Sequence, residues 1–326
     1  MIYPWQNDAL EMLRSKRARL PHALLICGPA GIGKLTLAEH FAQGLLCEGK
    51  DGAQAPCGKC EGCRWFAAGS HPDFRILEPE ALARQPAAGA DESEESAVTP
   101  TRAAKPSLEI KVDQIRAMDG FLNLKSHRGG RRVALVHPAE AMNANAANAL
   151  LKGLEEPPEN AMFLLVSHRP GRLLATIRSR CVAVPVGIPD PGEALAWLQV
   201  QGLRDAAPWL AFASGAPLAA LKLAQEAGAG LARLRQALEA RDLGTLGAVN
   251  DREQLEELAE VLQKHALDRA FASFSGRGKY GKASASARGA AWLRYARLMG
   301  RNRALARHPL NPRLFAEEML RGMPED

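Results

Sequence analysis

The sequence predicts an α/β protein, an open five-stranded parallel sheet flanked by helices, followed by a wholly helical tail. Three observations carry this. Short apolar runs alternate with stretches whose apolar residues recur at helical spacing, the pattern of repeated βα units. One run, HALLICG (22–28), leads directly into GPAGIGK (28–34) and a helical stretch, the strand–loop–helix context that a phosphate loop requires. Beyond about residue 187 the strand-like runs cease and helical periodicity takes over.

The elements follow in order. Trp5, Ala9, Leu10 and Leu13 give residues 5–19 one apolar face, hence a helix. HALLICG is apolar without alternation, which suits a strand buried on both faces. KLTLAEHFAQGLL (34–46) returns to helical spacing, and DFRILEP (73–79) and RRVALVH (131–137) read as strands. NANAANALLKGLEE (143–156) reads as a helix that Pro157-Pro158 stops. MFLLVSH (162–168) and RCVAVPV (180–186) complete the five strands. Residues 80–106 are rich in Ala, Pro, Ser and acid and poor in large apolar side chains, the composition of a disordered surface insertion. Residues 191–226 hold two helical patterns split by SGAP at 214–217, and 229–326 are nearly all helical apart from a loop at 275–289. The expected domains are a phosphate-loop domain at 1–187, a small helical lid at 188–228, and an all-α C-terminal bundle at 229–326.

Composition narrows the function. The 326 residues are 47% hydrophobic and 24% charged, ordinary globular material. No apolar run approaches the roughly 18–20 residues of a membrane span. The start, MIYPWQNDALEML, lacks the basic-then-apolar plan of a secretion signal, so the expectation is a cytoplasmic chain with no membrane partner. A net charge of +6 is compatible with nucleic acid or an acidic partner without requiring either. The local clusters Arg14-Lys16-Arg17-Arg19 and Arg128-Arg131-Arg132 can be solvated faces or contacts to phosphate or a partner.

Gly28, Gly31, Gly33 and Lys34 fit G-x-x-x-x-G-K. Glycines let backbone N–H groups turn in around phosphate oxygens, and the following helix aims its N-terminus at the same anion. Lys34 would reach the β/γ-phosphates. The next residue should offer a hydroxyl to Mg²⁺, but Leu35 has no oxygen, and Thr36 lies about 100° further round the helix. A nucleotide motor also needs acids at the end of a neighbouring strand, for Mg²⁺ and for the attacking water. Here RRVALV ends in His137-Pro138, and Glu140 is expected to be poorly placed. The magnesium ligands and the catalytic base are missing together, so ATP binding should be weak or absent and hydrolysis more so.

Cys47, Cys57, Cys60 and Cys63 stand close together, while Cys27 and Cys181 lie alone in apolar contexts. Four thiolates at this spacing favour a closed tetrahedral Zn²⁺ site over disulfides, with reduced or redox-active thiols as the other reading. A closed shell makes the metal structural, and it would fold the short 47–63 module. A free-standing zinc-dependent DNA-binding module is disfavoured, since only Lys59, Arg64 and Trp65 accompany the cysteines. Thr176–Cys181 leads into the fifth strand, and Arg180 there is either a surface arginine or one that reaches into a neighbour's site.

These pieces together resemble the bacterial clamp-loader subunits of the AAA+ class. ALLKGLEEPPENAMFLLVSHRPGRLLATIRSRC (149–181) is similar to the signature shared by the gamma/tau and delta prime subunits of DNA polymerase III. LLC…CGKCEGC…HPDF (45–74) is similar to their zinc module, and NPRLFAEEML (311–320) to their closing helix. Gamma/tau would need acids at 137–138 and a hydroxyl after Lys34, so the departures favour the delta prime branch. SGAPLAAL (214–221) also lacks the lid arginine of the motor subunits. The resemblance implies a non-hydrolysing assembly subunit of a loader containing gamma/tau and delta, which opens the sliding clamp and places it on primed DNA. It implies that Arg180 is an arginine finger facing a neighbour's ATP, that Ser167 is the strand-end polar sensor, and that the four cysteines hold zinc. It also implies a C-terminal oligomerisation collar. The chain alone would have neither ATPase nor polymerase activity, while serving a DNA-directed DNA polymerase, a nucleotidyltransferase complex. The alternative is an active gamma/tau-like motor ATPase.

Overall fold

The computed structural model describes residues 2–15, 20–49, 55–83, 106–127, 130–226, 249–275, 288–306, 308 and 310–324, with single positions between 234 and 246. The expected insertion at 80–106, Lys16, Arg17, Arg19 and Arg128, and the loop at 275–289 lie largely or wholly outside the described residues. The chain forms two compact units, Met1–Ile188 and Pro189–Asp326.

The first unit is built on five parallel strands in the order β2-β3-β4-β1-β5. They are β1 (Ala23–Cys27), β2 (Phe74–Leu77), β3 (Arg132–Val136), β4 (Ala161–Ser167) and β5 (Val182–Pro185). The inner strands β3 and β4 are buried along their whole length, as a parallel sheet covered on both faces demands, while the edge strands β2 and β5 are partly exposed. One face packs Leu25, Ala134, Val136, Phe163 and Leu165 against α4 (Val112–Asn123), α5 (Ala144–Glu155) and α6 (Ala175–Arg180). The alternate residues, including Leu24, Ile26, Leu135 and Leu164, face the side on which α1 (Asn7–Ser15) and α2 (Lys34–Leu45) lie. A short helix, α3 (Glu61–Ala67), follows the cysteine segment.

Helix α4 was not foreseen, although Ile115, Met118, Phe121 and Leu122 give it a buried stripe. Helix α5 begins where Asn143 accepts the Ala146 N–H at 2.9 Å and ends before Pro157. Arg132 is neither a solvated face nor a phosphate contact. It is buried, donates to the Phe121 carbonyl at 2.9 Å, and lies 4.7 Å over the Phe121 ring.

The second unit is helical: α7 (Pro191–Val200), α8 (Ala206–Phe212), α9 (Pro217–Glu226), α10 (Arg252–Ser275), α11 (Gly289–Leu305) and α12 (Pro312–Arg321). Residues 191–226 thus form three helices, where two were expected. Gly202, at φ +88°, ends α7 as only glycine readily can, and the chain restarts at Ala206. One apolar core runs from Ala194 through Trp209, Leu262 and Trp292 to Leu320, so the lid segment and the bundle segment share it. Tyr295 ties α11 to α12 by donating to the Met319 carbonyl at 2.8 Å. No helix among the described residues is long and apolar enough to cross a membrane.

Candidate functional site

Gly28 to Lys34 link β1 to α2 at the carboxyl edge of the sheet, where open parallel sheets bind ligands. Gly31 and Gly33 hold φ of +77° and +82°. The loop is packed from behind. A Cβ on Gly33 would lie 2.4 Å from the Tyr3 ring, and one on Gly28 would lie 2.1 Å from the Val186 carbonyl oxygen. Trp5 Nε1 and Gln6 Nε2 each donate to the Ile32 carbonyl at 3.0 Å, and the Tyr3 and Trp5 rings stack 5.1 Å apart. Lys34 is only 2% exposed, and its Nζ donates to the Pro29 carbonyl of its own loop. Burial lowers its pKa to about 8, against the opposing pull of Glu140 and Cys27. The loop's glycines take left-handed backbone, and its cation is turned onto its own backbone.

A second group of polar residues gathers at the same edge. The His137 Nδ1–H donates to Glu78 Oε1 at 2.8 Å, and His137 Nε2 faces His168 Nε2 at 3.2 Å. His137-Pro138 follows β3 as read from the sequence, without a carboxylate at 137 or 138. Glu140 is nonetheless brought back to the end of β4 by the short turn Ala139–Ala141. Its Oε1 accepts the His168 backbone N–H at 2.9 Å, while its Oε2, like His168 Nδ1, is buried with no hydrogen-bond partner among the described residues. Burial, and then the nearby Lys34 charge, lower the His168 pKa to about 4. Ser167, fully buried, accepts the Arg169 N–H at 3.2 Å.

The four cysteines converge as the spacing requires. Their sulfurs all lie within 4.8 Å of one another, with Cys47 and Cys60 at 3.9 Å and Cys57 and Cys63 at 4.0 Å. Four thiolates about 2.3 Å from a tetrahedral centre would stand about 3.8 Å apart, so this donor set fits a metal ion. Backbone N–H groups of Gly49 and Cys57 point at the Cys47 sulfur, Cys60 N–H at Cys57, and Cys63 N–H at Cys60, each at 3.4 Å. Such donors favour the thiolate, and those of Lys59 and Cys60 hold the Cys57 thiol down at about 6. Burial pushes Cys63 up to about 12, a penalty that a bound dication would offset. A Cβ on Gly62 would strike the Leu46 carbonyl at 2.8 Å, which explains the glycine inside the last Cys-x-x-Cys.

Arg180 closes α6, two residues before β5 begins at Val182. Because β5 runs parallel to β1 in the register Leu24↔Val182, Arg180 lies at the amino edge of the sheet. At about 3.3 Å per residue, the four residues of β5 carry the chain about 13 Å toward the loop edge. Arg180 Nη2 pairs with Glu155 Oε1 at 2.6 Å, and Nη1 donates to the Thr176 carbonyl at 3.0 Å.

The family described as DNA polymerase III, delta subunit, matches residues 5–187, more than half of the chain. This chain belongs to that family. Among its relatives, the DNA polymerase III subunit delta prime of Pseudomonas aeruginosa is 45% identical over 227 residues, 68% of this chain and 61% of that protein. The delta prime subunit of Yersinia pestis is 33% identical over 281 residues, 82% of this chain and 75% of that protein. That of Escherichia coli is 36% identical over 68% of this chain and 61% of its own length, so the match spans about three-fifths of two of these relatives. Among solved structures, a DNA polymerase III gamma-subunit-related protein of Thermotoga maritima superposes with a TM-score of 0.45 at 19% identity, covering 96% of this chain and 98% of that one.

In this delta-family chain the residues read from sequence fall into three places. Gly28, Gly31, Gly33 and Lys34 form one loop, the four cysteines form one cluster, and Arg180 stands at the sheet edge opposite the loop. The Glu78–His137–His168 chain was missed. Each member directly follows a strand, and that position was the available signal.

Proposed function

We propose that the chain is a delta prime subunit of a bacterial clamp loader, working in the cytoplasm with gamma/tau and delta to place a sliding clamp on primed DNA. In this reading it is an assembly subunit that hydrolyses no ATP itself and presents Arg180 as an arginine finger to an ATP held by a neighbour. The observation that carries the reading is the separation of Lys34 from Arg180. The loop lysine is buried against its own loop, and the arginine sits at the opposite edge, where it cannot serve that loop but can serve another subunit. The lid at 188–228 and the collar at 229–326 supply the remaining contacts of the assembly. Zn²⁺ is the ion assigned to the four cysteines, because four thiolates in a closed tetrahedron suit it and leave no position for catalysis.

The test is ATP turnover by the purified chain, with Lys34→Ala as control. The expected result is no turnover above that control. Lysine-dependent turnover would overturn the assembly reading in favour of a gamma/tau-like motor.

A further inference from the structure

Outside the loop and the cysteine cluster, the most concentrated unassigned chemistry is the histidine pair at the carboxyl edge. His137 follows β3 and His168 follows β4, so neighbouring parallel strands deliver the two rings side by side. Their Nε2 atoms are 3.2 Å apart and the rings stand at 84° to one another. Two metal–nitrogen bonds of about 2.0–2.1 Å, at angles between a right angle and the tetrahedral value, would hold the nitrogens about 2.9–3.4 Å apart. Glu78 takes the Nδ1–H of His137 at 2.8 Å, which leaves the Nε2 lone pair aimed at His168. A carboxylate behind a histidine in this way orients the ring and raises its basicity as a ligand.

We propose that His137 and His168 form a second metal site, separate from the four cysteines, for a divalent cation of the imidazole-preferring class such as Zn²⁺ or Ni²⁺. The fixed charges around the pair are Glu78 and Glu140 against Lys34 and Arg169, two of each sign. With the metal on Nε2, the His168 proton sits on Nδ1, which has no hydrogen-bond partner among the described residues. The unpartnered Glu140 Oε2, after a side-chain rotation, or a second water completes the shell. Mg²⁺ is excluded as the occupant because it prefers oxygen ligands. The competing occupant is a proton: His168 Nε2–H donating to His137 Nε2 gives a similar separation.

The experiment is a calorimetric Ni²⁺ titration of the full chain with its cysteine cluster already zinc-loaded. The expected result is one equivalent of Ni²⁺ with the zinc retained. His137→Ala and His168→Ala should each remove it, and Glu78→Gln should weaken it about 10–100-fold. Should a variant fail to fold, the wild-type chain still decides, because bound Ni²⁺ must broaden the His137 and His168 ring resonances ahead of all others. Absence of Ni²⁺ uptake, uptake that survives His137→Ala, or broadening centred on other residues would overturn the site and leave a shared proton between the rings.

Discussion

The two edges of the sheet treat their charged groups in opposite ways. At the carboxyl edge, Lys34 is buried on its own loop, Gly33 is backed by Tyr3, and Glu78, His137 and His168 bond to one another. At the amino edge, Arg180 is held by Glu155 through side chains that are 34% and 49% exposed. Exposed ion pairs are worth only about 0–1 kcal/mol and exchange partners readily, whereas buried polar contacts are costly to break. The edge at which parallel sheets usually meet ligands therefore holds its charged groups the more firmly, while the arginine of the other edge is held by a partly exposed pair.

The largest effect should come from the amino edge. In an assembled loader, Arg180→Ala is expected to leave folding and assembly intact while lowering ATP hydrolysis. Loss of an arginine finger costs about 10³–10⁵ in rate in GTPases, and an assembly with several sites should show less. Arg180→Lys should restore little, because an ammonium lacks the planar fork that grips phosphate oxygens. Steady-state ATPase of the reconstituted complex, beside thermal melting of the free chain, checks this. Wild-type hydrolysis in the Arg180→Ala complex would remove the functional side of the contrast.

A smaller effect probes how firmly the carboxyl edge is closed. Gly33→Ala forces a side chain into left-handed backbone and into the Tyr3 ring. The backbone alone should cost about 1–3 kcal/mol. Tyr3→Ala in the same chain should recover only the part due to the Tyr3 clash, leaving the backbone part and the 2.7 Å approach to Gln6 Nε2. Urea midpoints of the two single variants and the double variant measure both, and an unchanged midpoint for Gly33→Ala would mean that Tyr3 does not back the loop.

The contrast between the edges was only half legible in the sequence. The loop, the cysteines and all five strands could be read because each is a local pattern: glycine spacing, Cys-x-x-Cys, a continuous apolar run. Arg180 was readable as a residue, but its distance from Lys34 follows from the parallel register of β1 and β5, which no local pattern encodes. Helix α4 carried a readable stripe at Ile115, Met118 and Leu122 yet was obscured by the acid-rich stretch before it. The break at Gly202 was masked because Leu198, Leu203 and Leu210 keep an apolar rhythm across it. The Glu78–His137–His168 chain was the least legible, since its members lie 59 and 31 residues apart and meet only through strand order. Glu140 was discounted from its spacing after β3, and the turn at Ala139–Ala141 is what returns its carboxylate to the sheet.

The smallest expected effect concerns the charge on Lys34 itself. Its folded pKa, about 8, lies below the ordinary lysine value of 10.5 because it is buried. Below pH 8 the folded and unfolded chains are both protonated, and the folded chain bears the full cost of the buried ammonium. Between pH 8 and 10.5 the folded chain gives up a proton that the unfolded chain keeps, so stability rises with pH across that window. Lys34→Met has no such charge. Its midpoint should exceed that of the parent most below pH 8, and the gap should close toward pH 10.5. Burial raises the Cys27 thiol above its ordinary value and the Lys34 charge opposes that, so both chains should carry Cys27→Ala. The Pro29 carbonyl that loses its donor belongs to an exposed residue and can take water instead. A gap that stays constant with pH would mean that Lys34 is solvated in solution and free to reach a phosphate. The carboxyl edge would then be as open as the amino edge.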